Sequence, residues 1–166
     1  KESNSDSRVA ASPDTVKKMT DWGLNVVIQD NAGLKSNFSN EEYIKSGAII
    51  SNEITDISKS DLILKINKPN DDEITLMNEG SVLIASLDPY NNSETLNKLK
   101  DKGVTSFAME LMPRITRAQS MDILSSQSNL AGYKAVIDAT YLFNKAMPMM
   151  MTAAGTIAPA KVMVFG

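Results

Sequence analysis

The stretch from Ala108 to Gln127 gathers the residues most suited to chemistry in this chain. Arg114, Arg117, Gln119, Ser120, Asp122, Ser125 and Ser126 fall in one connecting segment behind a strand-like run. Guanidinium, amide, carboxylate and hydroxyl groups at this density suit directed hydrogen bonds to the amide, ribose or phosphate oxygens of a ligand, with Arg114, Gln119 and Asp122 as the reaching groups. Loops carried by a rigid scaffold are where such groups usually sit. The same residues also suit a plainer part, a polar turn in which Ser125 or Ser126 caps the next helix. Composition alone favours the plainer reading.

Residue types that are missing narrow the chemistry further. The 166 residues include no Cys and no His. Disulfides and thiolate metal sites are therefore excluded, and so are the commonest general base and the commonest transition-metal ligand. What remains is carboxylate, amide, hydroxyl, Lys and Arg chemistry, or the reactivity of a bound cofactor. A net charge of -3 supplies no basic excess for general nucleic-acid binding. The other candidates are weaker. Lys65 and Lys68 flank Asn67 and could meet an anion, though lysines at a strand end are usually solvated. Asp71, Asp72 and Glu73 could suggest a hard-cation site, but acids at a helix start mostly complement its dipole, and no metal is expected. Met147 and Met149 to Met151 read as adaptable packing at an interdomain or subunit contact.

The elements that must position these groups alternate regularly. Ser12, Pro13 and Asp14 open a helix whose apolar stripe is Val16, Met19 and Trp22, and Gly23 stops it. A strand follows at Asn25 to Gln29. Ser39 and Glu42 form a capping box for a short helix ending at Gly47, before a strand at Ala48 to Ser51. A short helix over Asn52 to Ser60, a strand over Leu62 to Ile66 and a helix over Asp71 to Asn78 come next. Ser81 to Ala85 is the fourth strand, Ser93 caps a helix to Gly103, and Val104 to Met109 is the fifth strand. Short apolar strands alternating with capped helices predict an α/β fold with a parallel sheet and helices on both faces, of the Rossmann-like or flavodoxin-like kind.

Behind the polar loop the pattern lengthens. A helix is expected over Asn129 to Met147, burying Leu130, Tyr133, Val136, Ile137, Thr140, Phe143 and Met147, with Lys134 and Asp138 as a weak i,i+4 pair. A strand is expected over Lys161 to Phe165, running into Gly166 as dinucleotide-binding units begin, although the diagnostic glycine series is not present. The domains are read as 1–128, an α/β domain; 129–151, a linking helix; and 152–166, the start of a second domain. Both ends read as cut, and the chain reads as a piece of a larger soluble, intracellular protein.

Several segments together resemble the superfamily of alanine dehydrogenase and proton-translocating nicotinamide nucleotide transhydrogenase. Ser7-Arg8-Val9-Ala10-Ala11-Ser12-Pro13 looks like its opening motif, and Leu64 to Pro69 like its third-strand signature. Met109 to Asp122 and Met151 to Lys161 are the strongest matches. The likeness covers essentially the whole chain and is closest to the N-terminal, NAD(H)-binding component of the transhydrogenase alpha subunit.

The resemblance implies a two-domain unit that works as a homodimer with NAD(H) in its cleft and no metal. NADP(H) is then held by a partner, the beta subunit, beside a membrane subunit, and the component itself is cytoplasmic and peripheral to the inner membrane. Residue by residue, the family's nicotinamide- and ribose-holding groups fall on Arg114, Gln119, Asp122 and Ser125, with Ser120 and Met121 between them. Arg114 faces the nicotinamide side, and Gln119, with Asp122, lies near the transfer site. Hydride transfer between two nicotinamides needs no protein acid or base, so a domain without His suits it. The sister reading, an alanine dehydrogenase-type amino-acid dehydrogenase, needs a His and a Lys. Those positions hold Asp88, in Ser86-Leu87-Asp88-Pro89, and Asn67. A third reading is a non-catalytic dimerisation remnant. The glycine turn that would bind pyrophosphate is not within the sequence, so these residues alone are expected to bind NAD(H) weakly and to be inactive.

Overall fold

The computed structural model describes Glu2 and residues 6–165. It divides into two compact units, Lys1–Met121 and Asp122–Gly166.

In the first unit strands and helices alternate as α1 (Pro13–Asp21), β1 (Val27–Gln29), α2 (Asn40–Lys45), β2 (Ile49–Ser51), β3 (Leu62–Leu64), α3 (Asp71–Leu76), β4 (Val82–Ala85), α4 (Ser93–Asp101) and β5 (Thr105–Ala108). The strands pair in parallel as two ladders, β1 with β2 and β3 with β4 and β5. Register runs Val27 to Ile49 in the first, and Ile63 to Leu83 to Ser106 across the second. This is the α/β class expected. β3 ends at Leu64, short of the Ile66 expected, yet the backbone pairing continues: the Lys65 amide donates to Ile84 (3.0 Å) and the Ser86 amide to Ile66 (3.0 Å).

Local chemistry accounts for the helix starts. The Ser12 hydroxyl accepts from the Thr15 amide with Pro13 in the first turn, and Gly23 takes the left-handed φ of +85° that stops the chain after α1. The expected box is present at α2, where the Ser39 amide donates to Glu42 Oε2 (2.7 Å) and the Glu42 amide to Ser39 Oγ (3.3 Å). A second box, Asn70 with Glu73, opens α3. Two expectations fail here. Trp22 is the C-cap of α1 and is 75% exposed instead of completing a buried stripe. Ser93 lies inside α4, while Asn92 stands at the cap without a side-chain cap bond, because its amide group donates to the Asp88 carbonyl (3.0 Å). The segment from Ile54 to Lys59 is a 3-10 helix, tighter than the helix expected.

Two apolar clusters hold this unit. Ile63, Leu83 and Ala85 from the three-stranded ladder pack with Ile74, Met77, Leu87, Leu99 and Val104. Burying each large side chain there contributes about 1.5–3 kcal/mol. The second cluster joins Ala11, Val16, Tyr43 and Ala48. Its Tyr43 hydroxyl donates to the Ala11 carbonyl (2.8 Å). Gly33 lies so close beneath that ring that a Cβ there would stand 2.6 Å from Tyr43. Val27, Ile49, Leu62 and Phe107 remain largely exposed.

The second unit contains α5 (Ile123–Leu142) and an antiparallel hairpin, β6 (Met150–Thr152) with β7 (Gly155–Ile157). The helix starts at Ile123 instead of Asn129 because Asp122 caps it, and it ends at Leu142 instead of Met147. Lys134 and Asp138 form the expected pair (2.5 Å). The expected buried face is exposed instead, with Leu130 at 59% and Tyr133 at 70%, since no element of its own unit covers it. Apolar residues also lie all around this helix, so it has no single face to hide. The hairpin falls where a plain connection was expected. Its turn is Ala153-Ala154, with Gly155 at φ +130° and the Thr152 hydroxyl donating to the Gly155 carbonyl (2.9 Å). Met149 and Met151 are exposed and not packed. Residues 161–165 form no strand, because no neighbouring strand in the unit satisfies their backbone, and Gly166 lies outside the described residues. Among the described residues no helix is long and apolar enough to cross a membrane.

Candidate functional site: the polar edge of the parallel strands

Because β3, β4 and β5 are parallel, the segments that leave their C-terminal ends share one edge. In open α/β sheets ligands bind outside that edge. The polar loop leaves it from β5, through a 3-10 turn at Met109–Leu111 and a second at Thr116–Met121. Ala118 is buried and anchors the second turn, whereas Arg114, Arg117, Gln119, Ser120 and Met121 are exposed. The Ala118 amide donates to the Ile115 carbonyl (2.9 Å), which closes the loop on itself. The side chains of Gln119 and Ser120 make no hydrogen bond to another described residue.

The two remaining candidates lie in the second unit and contact each other. Asp122 Oδ1 accepts from the amides of Leu124 (2.9 Å) and Ser125 (3.0 Å), and its Oδ2 from the Ser125 hydroxyl (2.7 Å). The helix cap is thus Asp122, where Ser125 or Ser126 was expected. A carboxylate at a helix N-terminus meets both free amides and the positive end of the dipole, which a hydroxyl serves less well. The Ser126 hydroxyl instead donates back to the carbonyls of Asp122 (3.3 Å) and Ile123 (3.1 Å).

Neighbouring strand ends are chemically closed. Lys65, a candidate for anion contact, donates to Glu73 Oε1 (2.6 Å) with both side chains nearly buried. Lys68, the other candidate, donates to Asn92 Oδ1. Among the three acids at the start of α3, Glu73 is held by Lys65 and its capping box, and Asp71 by Lys98 (2.8 Å). Asn67 Nδ2 donates to Glu2 Oε2 (3.1 Å) and Asp6 Oδ2 (2.9 Å), while the Ile66 amide donates to Glu2 Oε1 (2.7 Å). Arg8 donates from Nη2 to Asp6 Oδ2 (2.7 Å) and from Nε to Oδ1 (3.0 Å). These bonds hold the Asp6 carboxyl far below the usual carboxylate range and raise Arg8 further. Asp88, at a left-handed φ of +46°, accepts from Asn91 Nδ2 with both oxygens (3.0 and 3.1 Å).

One residue of this edge escaped the sequence reading. Glu110 Oε1 accepts from the amides of Leu87 (2.9 Å) and Asp88, tying the end of β5 to the end of β4. The only signal for it was a lone acid in the apolar run Ala108-Met109-Glu110-Leu111-Met112.

Comparison with known proteins agrees with this geometry. The family described as alanine dehydrogenase/PNT, N-terminal domain, matches residues 1–131. The first part of the NAD(P) transhydrogenase alpha subunit of Rhodospirillum rubrum, itself a separate chain, is 47% identical over 165 residues, covering 96% of this chain and 43% of that protein. Alanine dehydrogenase 1 of Staphylococcus aureus is 31% identical over 135 residues, covering 81% of this chain and 35% of that one. A solved transhydrogenase from Sinorhizobium meliloti superimposes with a TM-score of 0.92 at 50% identity, over 96% of this chain and 48% of its own. The chain thus spans less than half the length of each of these relatives. With the match over residues 1–131 and the shared fold together, the chain belongs to the alanine dehydrogenase/PNT N-terminal domain family.

Proposed function

We propose that this chain is the first domain of the NAD(H)-side component of a proton-translocating NAD(P) transhydrogenase, and that its polar loop orients NADH for hydride transfer to NADP+ on another component. The observation that carries this is the loop's place at the C-terminal edge of the parallel strands, with Gln119 and Ser120 exposed and, among the described residues, without side-chain partners. The Arg114 guanidinium and the Gln119 amide supply donors and an acceptor for a carboxamide and a ribose. Ser120 and Met121 line the same stretch, and Asp122 sets the position of Ser125 through its two bonds to that residue. Bound NADH supplies the hydride. The chain's own residues need only bind, orient and exclude water, and none has to exchange a proton.

The amino-acid dehydrogenase alternative fits this chain less well. Its acid–base pair would fall on Asn67, whose carboxamide does not titrate and is held by Glu2 and Asp6, and on Asp88, held by Asn91. In the proposed assembly the component is a homodimer beside an NADP(H)-binding beta subunit and a membrane subunit. Residues 152–166 then lead into the domain that binds the pyrophosphate.

Replacing Gln119 with Ala in the full-length subunit, assembled with its partner components, tests this reading. Misplacing a reacting group by about 1 Å costs roughly 10²-fold. Hydride transfer from NADH to an NADP+ analogue is therefore expected to fall by about that factor. Transfer at the parental rate would show the loop to be structural. NADH oxidation that depends on pyruvate and ammonia would move the reading to the amino-acid dehydrogenase.

A further inference from the structure

Among the described residues, Glu110 is the carboxylate of this edge whose hydrogen bonding is incomplete. Its Oε1 accepts from two successive backbone amides, Leu87 and Asp88, while its Oε2 is buried and has no hydrogen-bond partner. Buried polar atoms are nearly always paired, and a carboxylate oxygen cut off from water without a donor is unfavourable. The turn that Oε1 holds is itself strained. Asp88 sits at φ +46°, a conformation that non-glycine residues keep only when their surroundings enforce it. Asn91 and Asn92 enforce it from one side, at the Asp88 carboxylate and carbonyl, and Glu110 enforces it from the other. Glu110 also lies in the 3-10 turn Met109–Leu111, at the base of the polar loop. One side chain therefore joins a strained turn after β4 to the root of the loop after β5, and keeps one acceptor in reserve.

We propose that Glu110 is a positioning residue for the polar loop. Its Oε1 fixes the loop's base against the turn at Leu87 and Asp88, and its Oε2 receives an N–H donor from the loop when that loop seats NADH. This rests on the NAD(H) reading above. It adds that seating the cofactor and completing the Glu110 hydrogen bonds are one event. Glu110 would not touch the cofactor. Its effect would pass through the loop backbone to Arg114 and Gln119.

The test uses the full-length subunit and the variants Glu110→Gln and Glu110→Asp. Gln keeps a carbonyl oxygen for the two amides but puts a donor where Oε2 was, so it isolates the second oxygen. One lost hydrogen bond coupled to binding corresponds to about a tenfold change in affinity. Calorimetry should show NADH binding to Glu110→Gln about tenfold more weakly than to the parent, with Glu110→Asp in between and circular dichroism unchanged. Infrared difference spectra of the parent, with glutamate 13C-labelled, should show a carboxylate band that shifts on adding NADH and is missing from Glu110→Gln. A parent that binds NADH without that shift, or a folded Glu110→Gln with parental affinity, would overturn the role of Glu110 and leave the NAD(H) reading standing. If Glu110→Gln does not fold, the parent's infrared spectrum decides alone. A parent subunit that does not bind NADH would sink both.

Discussion

At the ends of β3 and β4, polar side chains close on partners within the chain: Lys65 on Glu73, Asn67 on Glu2 and Asp6, Glu110 on the amides of Leu87 and Asp88. Just beyond β5, Gln119 and Ser120 stand exposed, and only Ala118 is buried. All of these leave the same edge of one parallel ladder. The closed ends spend their hydrogen bonds on holding the strands and the turns in place. The open loop leaves its groups available to something outside the fold. Stability should therefore depend on the first region and cofactor handling on the second.

The largest separation is expected at Lys65. Removing one partner of a buried ion pair leaves an uncompensated charge and costs about 3–5 kcal/mol. Lys65→Met, which strips Glu73 of its cation, should lower the urea midpoint of this chain accordingly. An unchanged midpoint would mean that the closed ends carry no special share of stability. Next comes Asp6. Its folded value lies below the ordinary 3.8, so its stabilising bonds to Arg8 and Asn67 are complete at neutral pH. They are lost as pH falls from about 3.8 through the depressed folded value. Charged hydrogen bonds of this kind contribute about 1.5–3 kcal/mol. Asp6→Asn should therefore unfold at a lower temperature at pH 7 and lose less stability than the parent on acidification below pH 4, and parallel acid curves would remove Asp6 from the closed network. The smallest effect belongs to the open loop. Gln119→Ala should change unfolding free energy by no more than about 0.5 kcal/mol, the usual range for a surface site. A loss above about 1 kcal/mol would blur the contrast between the two regions.

Much of the frame could be read from local patterns. The capping boxes and stop glycines are decided by residues three or four positions apart, so Ser12, Ser39 with Glu42, and Gly23 behave as read. Where a distant partner competes, the local pattern misleads. Asn92 gives its amide to Asp88 and does not cap α4, and Lys65 and Lys68 are taken by Glu73 and Asn92 and are not left for an anion. Helical spacing of apolar residues also did not say what would cover α5, so Leu130 and Tyr133 were expected to be buried and are exposed. In the candidate loop the residue types were legible because they are contiguous. The role of Asp122 as cap was not, since serines two and three residues into the helix carry the same local signal.

The sequence by itself determined the α/β alternation, most helix starts, the identity of the polar loop and the exclusion of His and Cys chemistry. Each of these depends on residue type or on neighbours within a few positions. The tertiary structure decided which polar groups are spent on the fold and which stay open. That depends on backbone amides and side chains from strands more than twenty residues apart meeting at one edge, as Glu110 meets Leu87 and Asp88. No local pattern encodes such a meeting, because it exists only once the parallel strands have paired.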